Sequence, residues 1–300
     1  MAATTTTTLA ADLQTYFSKR LLDINSKDAV LQTAAYKENI PSNSSKTISF
    51  TQYSRLSVPG AVLTEGTTPA DTAVSNSAIT AVVDQWGAFV TLTDVAELTV
   101  KHPVVAELEM LLGEQATETI ETQINTVLVA GTTVQYANSK ANRAALAAGD
   151  VMTTTEMQKA LKTLRVNGAR PVENNLFVMF VDPSVEQDLL SDSTFKAVQN
   201  FSPESMKAGQ VVGRWMGIEV RRSNVIPTIA STTTVHTSYV VGRNAYAMTT
   251  LQNLATYVEA PGGNADPLHQ RRTIGWKVAF KAARLNENFM VRIESGSAFN

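Results

Sequence analysis

The stretch PVVAELEMLLGEQATETIETQINTVLVAG, residues 103–131, constrains the fold more than any other part of the chain. Pro103 stands in the first turn, where its missing N–H removes no helical hydrogen bond, and Gly131 stands just past the end. Val105, Leu108, Leu112, Ala116, Ile120, Ile124 and Val127 recur in steps of three and four, the spacing of one helical face. At 1.5 Å per residue such a helix is on the order of 40 Å long. That exceeds the width of a small domain, so the rest of the subunit must be built along it as along a rod. Glu107, Glu109, Glu114, Glu118 and Glu121 read as a solvated or salt-bridged face rather than a metal site. Gly113 is a modest liability within the helix.

A second constraint lies upstream. KTISFTQYSRL (46–56) and AITAVVDQWGAFVTLTD (78–94) alternate as strands do, with Ile48, Phe50 and Gln52 on one face of the first and Ile79, Ala81 and Val83 on one face of the second. Gly87, inside the second, marks a bulge or bend. Between them runs the polar excursion LTEGTTPADTAVSNS (63–77). Connections beyond about 12–15 residues without structure are uncommon in compact domains. The pair therefore reads as a long hairpin-like flap that is either a loose surface loop or has its partners outside its own chain.

Chemistry is hard to find. The chain has no cysteine, which removes disulfides, thiol catalysis and Cys-ligated metals. His102, His236 and His269 are far apart and read as structural or surface histidines. There is no GxSxG elbow, P-loop or strand-following GxGxxG. No catalytic residue, metal or cofactor is expected. Only 17% of residues are charged, with a net charge of −2, so there is no global basic footprint for nucleic acid. The pairs Arg221-Arg222 and Arg271-Arg272 read as salt-bridged or solvated edges. The weakly charged, Thr- and Ser-rich surface repels copies of itself less than usual, a hint of self-association. The longest apolar run, LFVMFV (176–181), is too short to span a bilayer, and no membrane partner is expected.

Elsewhere, residues 1–8 form a Thr-rich tail. Apolar spacing from Leu9 to about Lys37 suggests an amphipathic helix and an irregular arm, followed by the turn-rich IPSNSSK (40–46). Residues 132–152 carry weak signals. Met157, Leu161 and Leu164 mark a helix from about Thr155 that Gly168 ends. LFVMFVDP (176–183) reads as a buried strand, and PSVEQDLLSD (183–192) as a short helix capped by Asp182. Strands follow at 217–224, 236–243 and 254–260. TIGWKVAFKAARL (273–285) and FMVRIES (289–295), joined by NEN, read as a terminal antiparallel hairpin. The class is α+β.

KTISFTQYSRL, LTEGTTP (63–69), DQWGAFVTLTD (84–94), the long helix and a late DPLHQRRTIGWK (266–277) occur in an order that resembles the major capsid proteins of tailed bacteriophages. The departure is Arg271-Arg272, where the family pattern carries a glycine, which bears on the local turn. The resemblance spans about 45–295 and implies a Hong Kong 97-type fold. It divides the chain into an N-terminal arm (1–40), an extended two-stranded loop (41–95), a peripheral domain with a spine helix (96–154), an axial domain (155–255), and a return to the peripheral domain with the terminal hairpin (256–300). It implies that the excursion lies across a neighbouring subunit, with Arg55, Thr64, Glu65, Gly66, Pro69, Arg271 and Arg272 as candidate intersubunit residues. It implies a non-enzymatic shell protein whose partners are copies of itself in hexamers and pentamers, a separate scaffolding protein, a portal, optional decoration proteins, and packaged double-stranded DNA held by non-specific contacts. The location implied is the virion, with assembly in the host cytoplasm. A nanocompartment shell of the same fold and an enzyme with unrecognised site residues are the alternatives.

Overall fold

The computed structural model describes residues 29–41, 43–60, 62–63, 65–69, 71–99, 104–196, 211–260, 262 and 266–299. The Thr-rich start and most of the helix expected from Leu9 lie outside these. Thirteen strands and four α-helices follow in order among the described residues. The first part carries β1 (Tyr36–Asn39), β2 (Thr47–Tyr53), β3 (Asn76–Val82), β4 (Asp84–Thr93), α1 (Asp94–Thr99) and α2 (Val104–Val129). The middle carries β5 (Val134–Tyr136), α3 (Thr154–Val166), β6 (Phe177–Val181), α4 (Pro183–Ser191), β7 (Val211–Trp215) and β8 (Ile218–Arg222). The last part carries β9 (Ile229–Ala230), β10 (Thr234–Val241), β11 (Tyr246–Glu259), β12 (Arg271–Arg284) and β13 (Met290–Ser295).

Three sheets result. A four-stranded sheet runs β1-β11-β12-β4, a seven-stranded sheet runs β5-β13-β10-β6-β8-β7 with β9 beside β10, and β2 and β3 pair alone. Helix α2 lies on the four-stranded sheet. Its Leu112, Ala116, Ile120, Ile124 and Leu128 are buried against Ile274, Trp276, Val278 and Phe280, the alternate residues of β12. The same cluster takes in Val178, Phe180, Tyr239 and Val241, so α2 also supports one face of the seven-stranded sheet. The other face packs on α3 and α4 through Phe177, Met179 and Val181. Every residue of β6 is thus buried, as a strand covered on both sides requires. Met157, Leu161 and Leu164 of α3 are buried as their spacing predicts. Asp182 caps α4, its side chain accepting from Val185 N–H at 3.1 Å.

The terminal hairpin is a correction. Both strands exist, but they do not pair: β12 lies between β11 and β4, whereas β13 lies between β10 and β5. A short 3-10 turn (Glu287–Phe289) carries the chain from one sheet to the other. The physical reason is that β12 already has both edges filled, so β13 can complete a ladder only elsewhere. The strand read at 254–260 begins at Tyr246, and the chain passes from the seven-stranded to the four-stranded sheet at 242–245. Gly87 marks no bulge. The β4–β12 register is unbroken from Asp84↔Phe280 to Thr93↔Arg271, and a Cβ at Gly87 would stand 2.7 Å from the Trp276 carbonyl oxygen. Its role is close approach.

Candidate functional site

Among the described residues, the flap is the least self-sufficient part. β2 and β3 pair from Thr47↔Val82 to Tyr53↔Asn76, and Ser54 N–H closes the ladder on Ser75 O at 2.9 Å. The described residues from 54 to 75 have no strand or helix beyond that point and are all exposed. They include large apolar side chains that the described residues leave uncovered: Leu56, Val58, Leu63 and Val74 are exposed, and Val62 is 95% accessible. Among the described residues, the flap is fastened at its base. Ile48 joins Ile40, Val83 and Ala279 in a small apolar cluster, and the Tyr36 and Phe50 rings meet edge to face at 6.5 Å. The strand read as continuous over 78–94 divides at Val83, with β3 serving the flap and β4 the four-stranded sheet.

The candidate residues fall into two groups that this chain does not bring together. Glu65 and Gly66 form a turn near the middle of the excursion, with Gly66 at φ 77, a conformation that favours glycine. Pro69 and Arg55 are exposed on the same excursion, and Thr64 lies outside the described residues. Arg271 and Arg272 open β12 at the far end of the four-stranded sheet. Arg272 stands 3.5 Å from Glu97 of α1. The turn before them needs no glycine. Asp266 accepts from Gln270 N–H at 3.0 Å and Arg271 N–H at 2.8 Å, and His269 takes the left-handed conformation at φ 56. These N–H donors hold the Asp266 carboxyl below its ordinary range. Arg221 and Arg222 are salt-bridged, to Glu219 at 2.6 Å and Glu186 at 3.6 Å.

The face of the four-stranded sheet turned away from α2 is open around Gly275, away from the cluster that covers Ala279. Tyr257, Gly275 and Phe89 stand in register across β11, β12 and β4. Gly275 forms the floor, since a Cβ there would come within 2.8 Å of Phe89 Cβ. Phe89 is 73% and Tyr257 52% exposed, and the groove they flank has a volume of about 500 Å³. Two exposed aromatic rings flanking a glycine leave this part of the sheet without cover among the described residues.

Residues 76–293 match the family described as "Phage capsid protein". The chain belongs to the phage capsid protein family. No curated protein matches it. The fold of this capsid protein is similar to the head protein of Helicobacter pylori bacteriophage KHP40 (TM-score 0.76, 11% identity, 99% of each chain). It is similar as well to the capsids of Ralstonia phage GP4 (TM-score 0.73, 12% identity, 95% of each chain) and Cyanophage P-SCSP1u (TM-score 0.71, 16% identity, 95% of this chain and 93% of that one). It is a major capsid protein of the tailed-bacteriophage type, with the α+β Hong Kong 97-like fold, and a structural protein of the virion rather than an enzyme.

One feature of this capsid protein escaped the sequence reading. Glu121 is not on a solvated face. It is fully buried, and its carboxylate accepts from Val30 N–H at 3.1 Å, Leu31 N–H at 2.7 Å and Gln32 N–H at 3.2 Å. These are donors at the start of the 3-10 turn Leu31–Thr33, which leads into β1. Tyr246 donates its hydroxyl to the Leu31 carbonyl, and Arg221 donates to Thr33 Oγ1 at 2.6 Å. Burial raises the Glu121 pKa, opposed by the three N–H bonds and by Lys37. The mid-helix of α2 therefore clamps the incoming segment. The only signal in the sequence is a glutamate one position after Ile120 on an otherwise apolar stripe. His236, buried with Nδ1 2.6 Å from Asp182, is a structural histidine in keeping with its reading; His102 lies outside the described residues.

Proposed function

We propose that this chain builds an icosahedral shell of hexamers and pentamers around double-stranded DNA, each copy laying its flap across a neighbour. The observation that carries this is the excursion of 54–75, whose apolar side chains are bare in the single chain. Burying such surface is favourable at about 25 cal/mol per Å², so uncovered valines and leucines in a family of shell proteins point off the chain. The open Tyr257–Gly275–Phe89 face supports a receiving surface on the next copy. The body around α2 and the four-stranded sheet corresponds to a peripheral domain, and the seven-stranded sheet with α3 and α4 to an axial one. Glu65, Gly66, Pro69 and Arg55, with Thr64 between, are the flap's proposed interface residues; Arg271 and Arg272 are the sheet's. The remaining partners under this reading are a scaffolding protein, a portal and non-specifically bound DNA, with assembly in the host cytoplasm.

Negative-stain microscopy of the purified chain tests the reading. Uniform closed shells, tubes or hexameric rings are expected. Elution as a monomer under all assembly conditions, with no particles, would overturn it.

A further inference from the structure

Two arginines are held side by side with no carboxylate to meet. Arg143, Arg214, Arg221, Arg222, Arg284 and Arg292 each lie against a glutamate. Among the described residues the guanidinium groups of Arg170 and Arg243 have neither an ion-pair nor a hydrogen-bond partner. They are nonetheless fixed relative to each other. Arg243 N–H donates to the Arg170 carbonyl oxygen at 2.8 Å, which ties the loop after α3 to the turn between β10 and β11. Both line a cavity of about 400 Å³, together with Gly168, Asn244 and Phe289, and no acidic residue is in its wall. A second hollow, at the end of α3 and two residues along the chain from Gly168, is lined by Lys162 and Arg165, three residues apart on one helix face, again without an acid.

Like charges on neighbouring loops repel, and the chain has carboxylates enough to pair them: 27 acidic against 25 basic residues. A compact anion between the two guanidiniums relieves that repulsion, and Arg is suited to bidentate bonding of phosphate oxygens. The second pair of cations one short connection away suits a ligand whose charge repeats, rather than a single carboxylate. We propose that Arg170 and Arg243 form a backbone-phosphate site for nucleic acid, continued by Arg165 and Lys162. The inference deepens the reading of a DNA-enclosing shell, on which it rests.

Fluorescence anisotropy of a mixed-sequence duplex of about 20 base pairs with the full-length unassembled chain, over a salt series, tests it. Each phosphate contact contributes about −0.9 to the slope of log K against log salt, so four cations predict a slope of roughly −3 to −4. The double substitution Arg170→Gln/Arg243→Gln should make the slope shallower by about 2 and weaken binding. Arg170→Lys/Arg243→Lys, which keeps the charge, should retain the slope. Circular dichroism of both variants checks that the fold is kept. An unchanged slope in the Gln variant leaves DNA binding in place but moves the site elsewhere, and overturns the proposal. No duplex binding by the wild-type chain at low salt overturns both the proposal and the DNA-contact reading. Loss of polyglutamate binding in the Gln variant with duplex binding intact assigns the cleft to an acidic protein segment and also overturns it.

Discussion

The flap and the clamp around Glu121 invert the usual division between surface and interior. The flap exposes valines and leucines that belong in a core; the clamp buries a carboxylate that belongs in water. The difference lies in where each finds its partners. Glu121 finds three N–H donors from a segment 89 to 91 residues away in its own chain. The flap's apolar side chains find no cover among the described residues of their own chain. A misplaced polarity satisfied internally contributes to the subunit's own stability, whereas one left unsatisfied marks a contact with another molecule.

The largest effect is expected from attacking the side of the comparison that is satisfied at home. Leu112→Asp places an unpaired charge among buried side chains of α2 and β12, at a cost of several kcal/mol against a total stability of about 5–15 kcal/mol. Insoluble or degraded protein is the expected product; a soluble, cooperatively folded variant would break the comparison. Glu121→Ala comes next. It orphans three N–H groups, at about 1 kcal/mol each or more, so urea unfolding should show a loss of about 3 kcal/mol.

The sign of the pH dependence sharpens the same contrast. Burial raises the folded pKa of Glu121 above its ordinary value, so its contribution is fully present at low pH and is lost as pH rises through the folded pKa. The destabilisation caused by Glu121→Gln should therefore shrink as pH rises above the ordinary glutamate range. Glu219, Asp150, Asp192 and Glu287 behave oppositely. Arg221 and Arg214 hold Glu219 down against burial, Asn138 and Ala147 N–H hold Asp150, Thr154 holds Asp192, and Thr132 with Arg284 holds Glu287. Their contribution is present above the ordinary carboxylate range and lost as pH falls below it, so the wild-type urea midpoint should drop on acidification below about pH 4.

Smaller still is Gly113→Ala. No atom lies within 4 Å of the added Cβ, and removing a helical glycine should raise the unfolding free energy by about 0.5–1 kcal/mol. The smallest effect on the isolated subunit belongs to the flap. Glu65→Lys, or a Gly/Ser linker in place of 63–69, should leave its circular dichroism and melting nearly unchanged, since an exposed ion pair contributes about 0–1 kcal/mol. Shell yield or shell heat-resistance should fall instead. Unfolding of the subunit would mean that the flap packs at home.

What the sequence disclosed was whatever is written in local period. The stripe of α2, the run of β6, the Asp182 cap and the alternation of β2 and β3 all rest on neighbours within a few residues. Strand pairing does not. TIGWKVAF and FMVRIES alternate like the arms of a hairpin, yet alternation specifies a face and not a partner, and the partners are β4 and β11 for one, β5 and β10 for the other. Glu121 escapes for the same reason, because a lone glutamate on a helix reads as solvated unless the segment that covers it is known. The candidate site was half legible. The length of the excursion marked the flap, but nothing in Phe89, Tyr257 and Gly275, on three separate strands, announced that they share one row.

Val83 is the only residue between β3 and β4, and it is held by the small cluster with Ile40 and Ala279 while its N–H donates to Lys46 O at 2.9 Å. The seven-residue strands beyond it reach out about 23 Å at 3.3 Å per residue. The arrangement is a lever with its fulcrum in the body of the subunit. A rotation of about 10° at that fulcrum carries the far end of the ladder some ~4 Å over that reach, about the spacing of neighbouring strands, so a modest change at one buried valine is enough to re-aim everything the flap touches.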